Sequence, residues 1–311
     1  MLRYTLVRIG RALVTVTLIV SIAFVILRMS GDPAIIILGP EAPPEAFEAF
    51  RRNWGLDQPI WVQYLRYFWA ILGGDLGNSM RDGRSALEVV GERIPLTLAI
   101  TVPALLLKIA IGFPAGIFAA LHRNTFLDRL IMTVSVMGFT VPSFVLGLVL
   151  ALVFAVWLRW LPSGGSDTWM HAILPIFTMG VIGAAVIARF TRSAMLEVLG
   201  QPYIRPPSAK GLVGRMVFPR HALPNAAIPT LTIVGFMVGS LVAGAVVVES
   251  VFSWPGVGRL LVTAVANRDL AVVQVILLLV GFTMVFANLA VDLLYGWVDP
   301  RLRAKRLTAG A

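Results

Sequence analysis

Few side chains in this 311-residue sequence are placed to do covalent chemistry. Its three lysines, Lys108, Lys210 and Lys305, never follow a glycine. A phosphate-cradling loop ending in Gly-Lys-Ser or Gly-Lys-Thr is therefore absent, and with it the machinery to hydrolyse ATP. His122, His171 and His221 form no pair four residues apart that could share a metal on one helix face. No Gly-x-Ser-x-Gly elbow occurs. With no cysteine, disulfides, thiolate zinc and thiol catalysis are excluded. No catalytic residue, metal ligand or cofactor site is expected, and the chain reads as a non-enzyme.

Recognition chemistry is better represented. The stretch from Ser193 to Pro229, SAMLEVLGQPYIRPPSAKGLVGRMVFPRHALPNAAIP, lies between two apolar runs and carries Arg205, Lys210, Arg215, Arg220 and His221 around one acid, Glu197. A long basic segment on the Arg-rich side of a membrane suits docking to a soluble partner. Lys108 sits in the middle of TVPALLLKIAIGFP. A cation at bilayer depth costs roughly 2.5–3.5 kcal/mol on insertion scales. It should therefore line a pathway where it attracts a carboxylate, pair with an acid on a neighbouring helix, or snorkel. Glu249 and Trp254 fall in ESVFSWPGVGRLL, which reads as a re-entrant or surface hairpin with Trp254 at the membrane interface. Asp269, beside Arg268 in NRDLAVVQ, is a docking lip or a plain turn. Lys108, Glu249, Trp254 and Asp269 are the candidate pathway or gate positions.

The elements that must position these residues are membrane spans. The chain is 58% hydrophobic, with mean hydropathy +0.85. Apolar runs at 9–28, 95–120, 130–158, 172–190, 227–249 and 271–297 predict an all-α membrane protein with six transmembrane helices. The first run, preceded by Arg3 and Arg8, lacks a small-residue cleavage site and reads as a retained helix. A net charge of +10 invites a nucleic-acid reading, but the cations gather at the ends of apolar runs, as topology signals do. The N-terminus, the 121–129 loop, the 189–226 segment and the C-terminal tail together hold fifteen Lys and Arg against Asp128, Glu197 and Asp299. Segment 28–93 holds seven basic and nine acidic residues. Both termini and the basic segment are expected in the cytoplasm.

Gly112–Gly116 and Gly235–Gly239, the latter continued by Ala243, place small residues four apart, a spacing that lets helix backbones approach. The contact could lie within this subunit or with a second one. Pro103, Pro114 and Pro142 are expected to interrupt their spans. Outside the membrane, PPEAFEAFRRNWGL predicts a short amphipathic helix ending near Gly55. DQPIWVQYLRYFWAIL predicts an aromatic one, suited to the headgroup zone or to an aromatic substrate-contact surface.

The basic segment resembles the Glu-Ala-Ala (EAA motif) loop of ABC importer permeases, with Gly211 and Leu223-Pro224 at its spacings. YIRPPSAKGL…RHALPNAAIP is similar to the YIRTARAKGL…RHALRNALIP signature of the permeases for dipeptides, oligopeptides, glutathione and nickel. GDPA (31–34), GLDQPIWVQYLRY (55–67), GDLG (74–77), ARFTRSAMLEVL (188–199), VVVESVFSWPGVGRLL (246–261) and VDLLYGWVDPRLR (291–303) match as well. On these strings the chain is identified as a member of that ABC transporter permease family, B-type subunit.

The resemblance implies a type I ABC importer permease fold in the bacterial inner membrane. It implies residues 1–94 as a first helix plus external segment, and 95–311 as a five-helix core with a coupling loop at 191–226. The implied partners are a second homologous permease, two cytoplasmic ABC ATPases and an extracytoplasmic substrate-binding protein, with ATP used by the ATPases and no cofactor on this chain. Tyr203, Ile204, Arg205, Ser208, Ala209, Lys210, Gly211, His221, Leu223 and Pro224 would couple to the ATPases. Pro206-Pro207 departs from the family's Thr-Ala and would either start the coupling helix one turn later, because proline is tolerated at the first helical position, or impair coupling. Peptide or glutathione-like cargo is implied, and nickel is the alternative. An ATP-independent secondary transporter, which would carry paired broken helices and several intramembrane carboxylates, is the contrasting class.

Overall fold

The structure, a computed structural model, describes residues 2–29, 31–201 and 223–298. Helices dominate it. Among the described residues, extended pairing is confined to one isolated bridge between Asn78 and Ser85.

The helices fall into two compact units, residues 1–97 with 255–283, and 98–254 with 284–311. In the first unit, α1 (Leu2–Met29) leads into three short helices, α2 (Pro33–Leu38), α3 (Pro44–Asn53) and α4 (Ile60–Leu72). The two amphipathic helices expected outside the membrane are α3 and α4. Each is entered through a proline whose fixed φ is already helical in value, Pro44 at the start of α3 and Pro59 just ahead of α4. Asp32 caps α2 through the Ala34 N–H (2.9 Å), and Arg51 of α3 donates its Nε to the same carboxylate (2.7 Å). That pairing gives the Gly-Asp-Pro-Ala string a structural task. Aromatic packing fixes α4 against α1: Tyr67 stacks on Phe24 at 5.7 Å, and Tyr64 meets Phe24 edge-on at 5.4 Å. The outward side of α4 leaves Trp61 and Trp69 about two-thirds exposed.

After α5 (Ala86–Gly91) come α6 (Ile94–Leu121), α7 (Phe126–Thr140), α8 (Ser143–Leu150) and α9 (Ile173–Leu199). A π-helical turn, Ala151–Trp157, continues α8. Then follow α10 (Leu223–Gly239), α11 (Val246–Val251), α12 (Val257–Ala266) and α13 (Leu270–Val298).

By length and composition, three described helices can cross a membrane, ending at Leu121, Leu199 and Val291, and up to five spans result if each bent pair counts as one. The first apolar run is a helix whose apolar stretch, Leu13–Ile26, is shorter. Two of the expected spans are bent, one of them at the proline expected to interrupt it. The 130–158 run bends by 99° between α7 and α8, where Pro142 holds Val141 in an extended conformation. The 227–249 run bends by 76° around Ser240–Val242. Pro103 and Pro114, expected to interrupt their span, lie inside an unbroken α6. Charge placement also misplaced one boundary. Residues 191–199, assigned to the basic loop, continue α9 as far as Leu199.

Candidate pathway and coupling sites

Small residues bring α6 and α9 into backbone contact. A Cβ at Gly112 would stand 2.6 Å from the Ala184 carbonyl oxygen, and one at Gly116 would stand 2.5 Å from that of Ala188. One turn nearer the other end the relation reverses, and glycines of α9 receive side chains of α6. Leu107 lies on Gly180, and the Lys108 stem lies on Gly183, with Cγ 2.5 Å and Cε 2.6 Å from where a Cβ would be. Dispersion along such a seam replaces the hydrophobic drive that lipid cannot supply. The Lys108 ammonium has no hydrogen bond or ion pair among the described residues, and its cradle there holds the stem. The second glycine pair behaves alike: Gly235 of α10 receives Val291 of α13, and Gly239 stands 3.1 Å from the Ala287 methyl. Both pairs therefore pack within the subunit.

Near the other end of α9, Arg192 grips Asp128 with two bonds, Nε to Oδ1 at 2.6 Å and Nη2 to Oδ2 at 2.7 Å. Asp128 lies in the first turn of α7, where a negative charge suits the helix dipole. It also accepts the Asn124 N–H at 3.0 Å. Thr125 caps the same helix through the Asp128 N–H. Arg189, one turn earlier on α9, lies over the Phe139 ring of α7 at 4.9 Å. Sequence reading counted Asp128, Arg189 and Arg192 only as topology charges. Nothing local marks the pair, whose members are 64 residues apart.

Beyond Arg192, α9 ends in a buried cluster. Met195, Ala194 and Val198 pack with Ala120 of α6 and Ala226 of α10. The Thr191 and Thr230 hydroxyls face each other at 3.4 Å. The helix entering segment 200–222 and the helix leaving it thus share one core.

Tyr203, Ile204, Arg205, Ser208, Ala209, Lys210, Gly211 and His221 lie outside the described residues. Leu223 opens α10 and Pro224 is its second residue. Glu249 is fully buried on α11, and its carbonyl accepts the Trp254 N–H at 2.8 Å. Trp254, expected at the headgroup interface, is 5% exposed. The chain turns inward between them because Ser253 adopts a left-handed conformation and Phe252 is gripped from two sides. Gly165 donates its N–H to the Phe252 carbonyl at 2.9 Å, and Gly147 leaves room for its ring, 3.2 Å from where a Cβ would be.

Asp269 belongs to the first unit. Its side chain accepts the Ser79 hydroxyl, the Met80 N–H at 3.3 Å and the Val272 N–H at 3.5 Å. It caps α13 and clasps the 79–80 turn at once. Arg268, held at φ +54°, donates to the Asp32 carbonyl at 3.1 Å. Gly31 passes so close to that guanidinium that a Cβ would lie 2.5 Å from its Nη1, and its φ of +112° excludes other residues in any case. Lys108, Glu249 and Trp254 lie in the second unit and Asp269 in the first.

Residues 112–304 match the family described as binding-protein-dependent transport system inner membrane component, and residues 1–101 match the corresponding N-terminal family. The chain belongs to this family. The permease is 42% identical over 306 residues to the glutathione transport system permease protein GsiC of Escherichia coli (strain K12), covering 98% of this chain and 100% of that protein. The same identity and coverage hold for GsiC of Salmonella paratyphi A (strain ATCC 9150 / SARB42) and of Shigella dysenteriae serotype 1 (strain Sd197). Among solved structures, a chain of the inward-facing MetNI methionine ABC transporter superposes with a TM-score of 0.58 at 20% identity, covering 68% of this permease and 97% of that chain. The expected importer permease fold, the membrane-embedded helices and the inner-membrane location of the family all stand.

Proposed function

We propose that this permease forms half of a peptide-conducting pathway whose cargo is glutathione or a peptide of similar size. The supporting observation is the 42% identity to glutathione permeases over 98% of the chain. A second homologous permease completes the pathway, an extracytoplasmic binding protein delivers the cargo, and two cytoplasmic ABC ATPases hydrolyse ATP. This chain carries no cofactor of its own. Both termini lie in the cytoplasm, following the distribution of Lys and Arg.

Coupling runs through Tyr203–Gly211, with Arg205 and Lys210 as polar contacts to the ATPase. The shared core of α6, α9 and α10 supports this reading, because it can pass motion from either end of segment 200–222 to the span that carries Lys108. In the pathway, the Lys108 ammonium attracts a cargo carboxylate. Binding energy at the ATPases and at the binding protein biases an inward–outward equilibrium.

The test exploits the absence of native cysteine. Arg205→Cys or Lys210→Cys should crosslink to the ATPase subunit in membranes, and radiolabelled glutathione uptake should require that ATPase. Uptake that persists without it and follows an ion gradient refutes the proposal, and uptake of nickel but no peptide refutes the cargo.

A further inference from the structure

In the first unit a cavity of about 360 Å³ opens between the 79–93 segment and α12. That volume lies within the range of small-molecule sites. Three arginines from three separate elements are among its lining residues: Arg81 on the turn after Ser79, Arg93 ahead of α6, and Arg259 in the first turn of α12. Two acids share the lining, and they differ in availability. Asp269 is buried and its oxygens are taken up by Ser79, Met80 and Val272. Asp82 is exposed, and its Oδ1 accepts the Arg84 N–H at 3.1 Å.

Two features make the site built rather than incidental. Arg93 is oriented by a bond from its Nη1 to the Pro255 carbonyl at 3.3 Å. The first turn of α12 is fixed by the bond from the Val257 N–H to the buried Thr97 hydroxyl at 2.8 Å. Pro255 and Gly256, at the positive end of α12, line the cavity together with Arg259. The geometry points to an anion site for a small carboxylate, held between the Arg81, Arg93 and Arg259 guanidiniums. Planar forks of this kind match a carboxylate with two parallel bonds. The inference rests on the transport reading only in supposing that carboxylate-bearing solutes reach this side of the protein.

The full-length chain in lipid nanodiscs would be titrated with glutarate by calorimetry, with the neutral glutaramide as control. Glutarate is expected to bind saturably and more weakly as NaCl is raised, and glutaramide is expected not to bind. Arg81→Gln changes an exposed residue and should weaken glutarate at least about five-fold. Asp82→Asn removes the repelling charge and should tighten it about three-fold. A glutathione arm identifies the source of the carboxylate: competition with glutarate assigns the site to cargo, and glutarate binding alone assigns it to free acids. Equal binding of glutarate and glutaramide, or unchanged affinity in both variants, overturns the inference. The readout needs no transport, so its failure leaves the transport proposal untouched.

Discussion

Arg192 and Asp128 form a two-bond ion pair between the last third of α9 and the first turn of α7, with the aspartate side chain only 3% exposed. It anchors the α7 end of a span that turns through 99° further on. Removing Arg192 leaves a buried carboxylate without its partner, a larger penalty than removing both groups. Arg192→Met should therefore lower unfolding stability by about 1–3 kcal/mol. The double variant with Asp128→Asn should recover most of that loss. Denaturant titration of the purified protein in detergent reads both, and equal losses in the single and double variants would count against the pair.

Gly116 tests the α6–α9 seam. Its missing Cβ would meet backbone, which cannot move aside as a flexible side chain can, so Gly116→Ala must push the helices apart. A loss of about 1–3 kcal/mol is expected from overpacking. Gly10 has open space around it, and Gly10→Ala should be neutral or slightly stabilising because alanine is the better helix former. Thermal midpoints of the two variants should separate clearly.

Lys108 and Gly183 should act as one unit in transport. Lys108→Met keeps the length of the side chain and removes its charge, so uptake of a peptide with a free carboxylate should fall roughly five- to ten-fold at unchanged thermal stability. Gly183→Ala displaces the lysine stem and should reduce uptake in the same direction. Uptake at the parental rate in Lys108→Met would remove this residue from the pathway.

Asp269 carries a helix cap that asparagine can partly replace. Asp269→Ala should cost about 1–2 kcal/mol, and Asp269→Asn markedly less. Hydrogen exchange should accelerate in residues 79–84 and 270–273 of the alanine variant, and exchange confined to one of these segments would contradict the double role.

Orientation is measurable with single cysteines. Asp82→Cys should react with a membrane-impermeant maleimide on intact cells, and His122→Cys should react only after permeabilisation. The reverse pattern would invert the topology proposed from the arginines.

Much of the helical order was legible in the sequence because apolar runs and proline starts are local signals. The two amphipathic helices α3 and α4 emerged where their polar–apolar alternation and prolines placed them. The glycine pairs told of close packing, but their partners α9 and α13 lie too far away in sequence for any local signal to name them. Arg189 and Arg192 misled, since charged residues ordinarily end a span. Here Phe139 and Asp128 of α7 accommodate both, and the helix runs on to Leu199. Pro142 was visible as a breaker, while Pro103 and Pro114 were not distinguishable from it by residue type. Trp254 misled for a related reason. Its amphipathic ring suits a headgroup, but the left-handed Ser253 turns it inward.

Ala120, Met195 and Ala226 sit in one packed cluster, so the two chain ends that bracket residues 200–222 are bolted to the same plate. A displacement of the end of α9 or the start of α10 therefore acts on α6, α9 and α10 together. How far either helix end can shift on its own is therefore set by the stiffness of that shared plate.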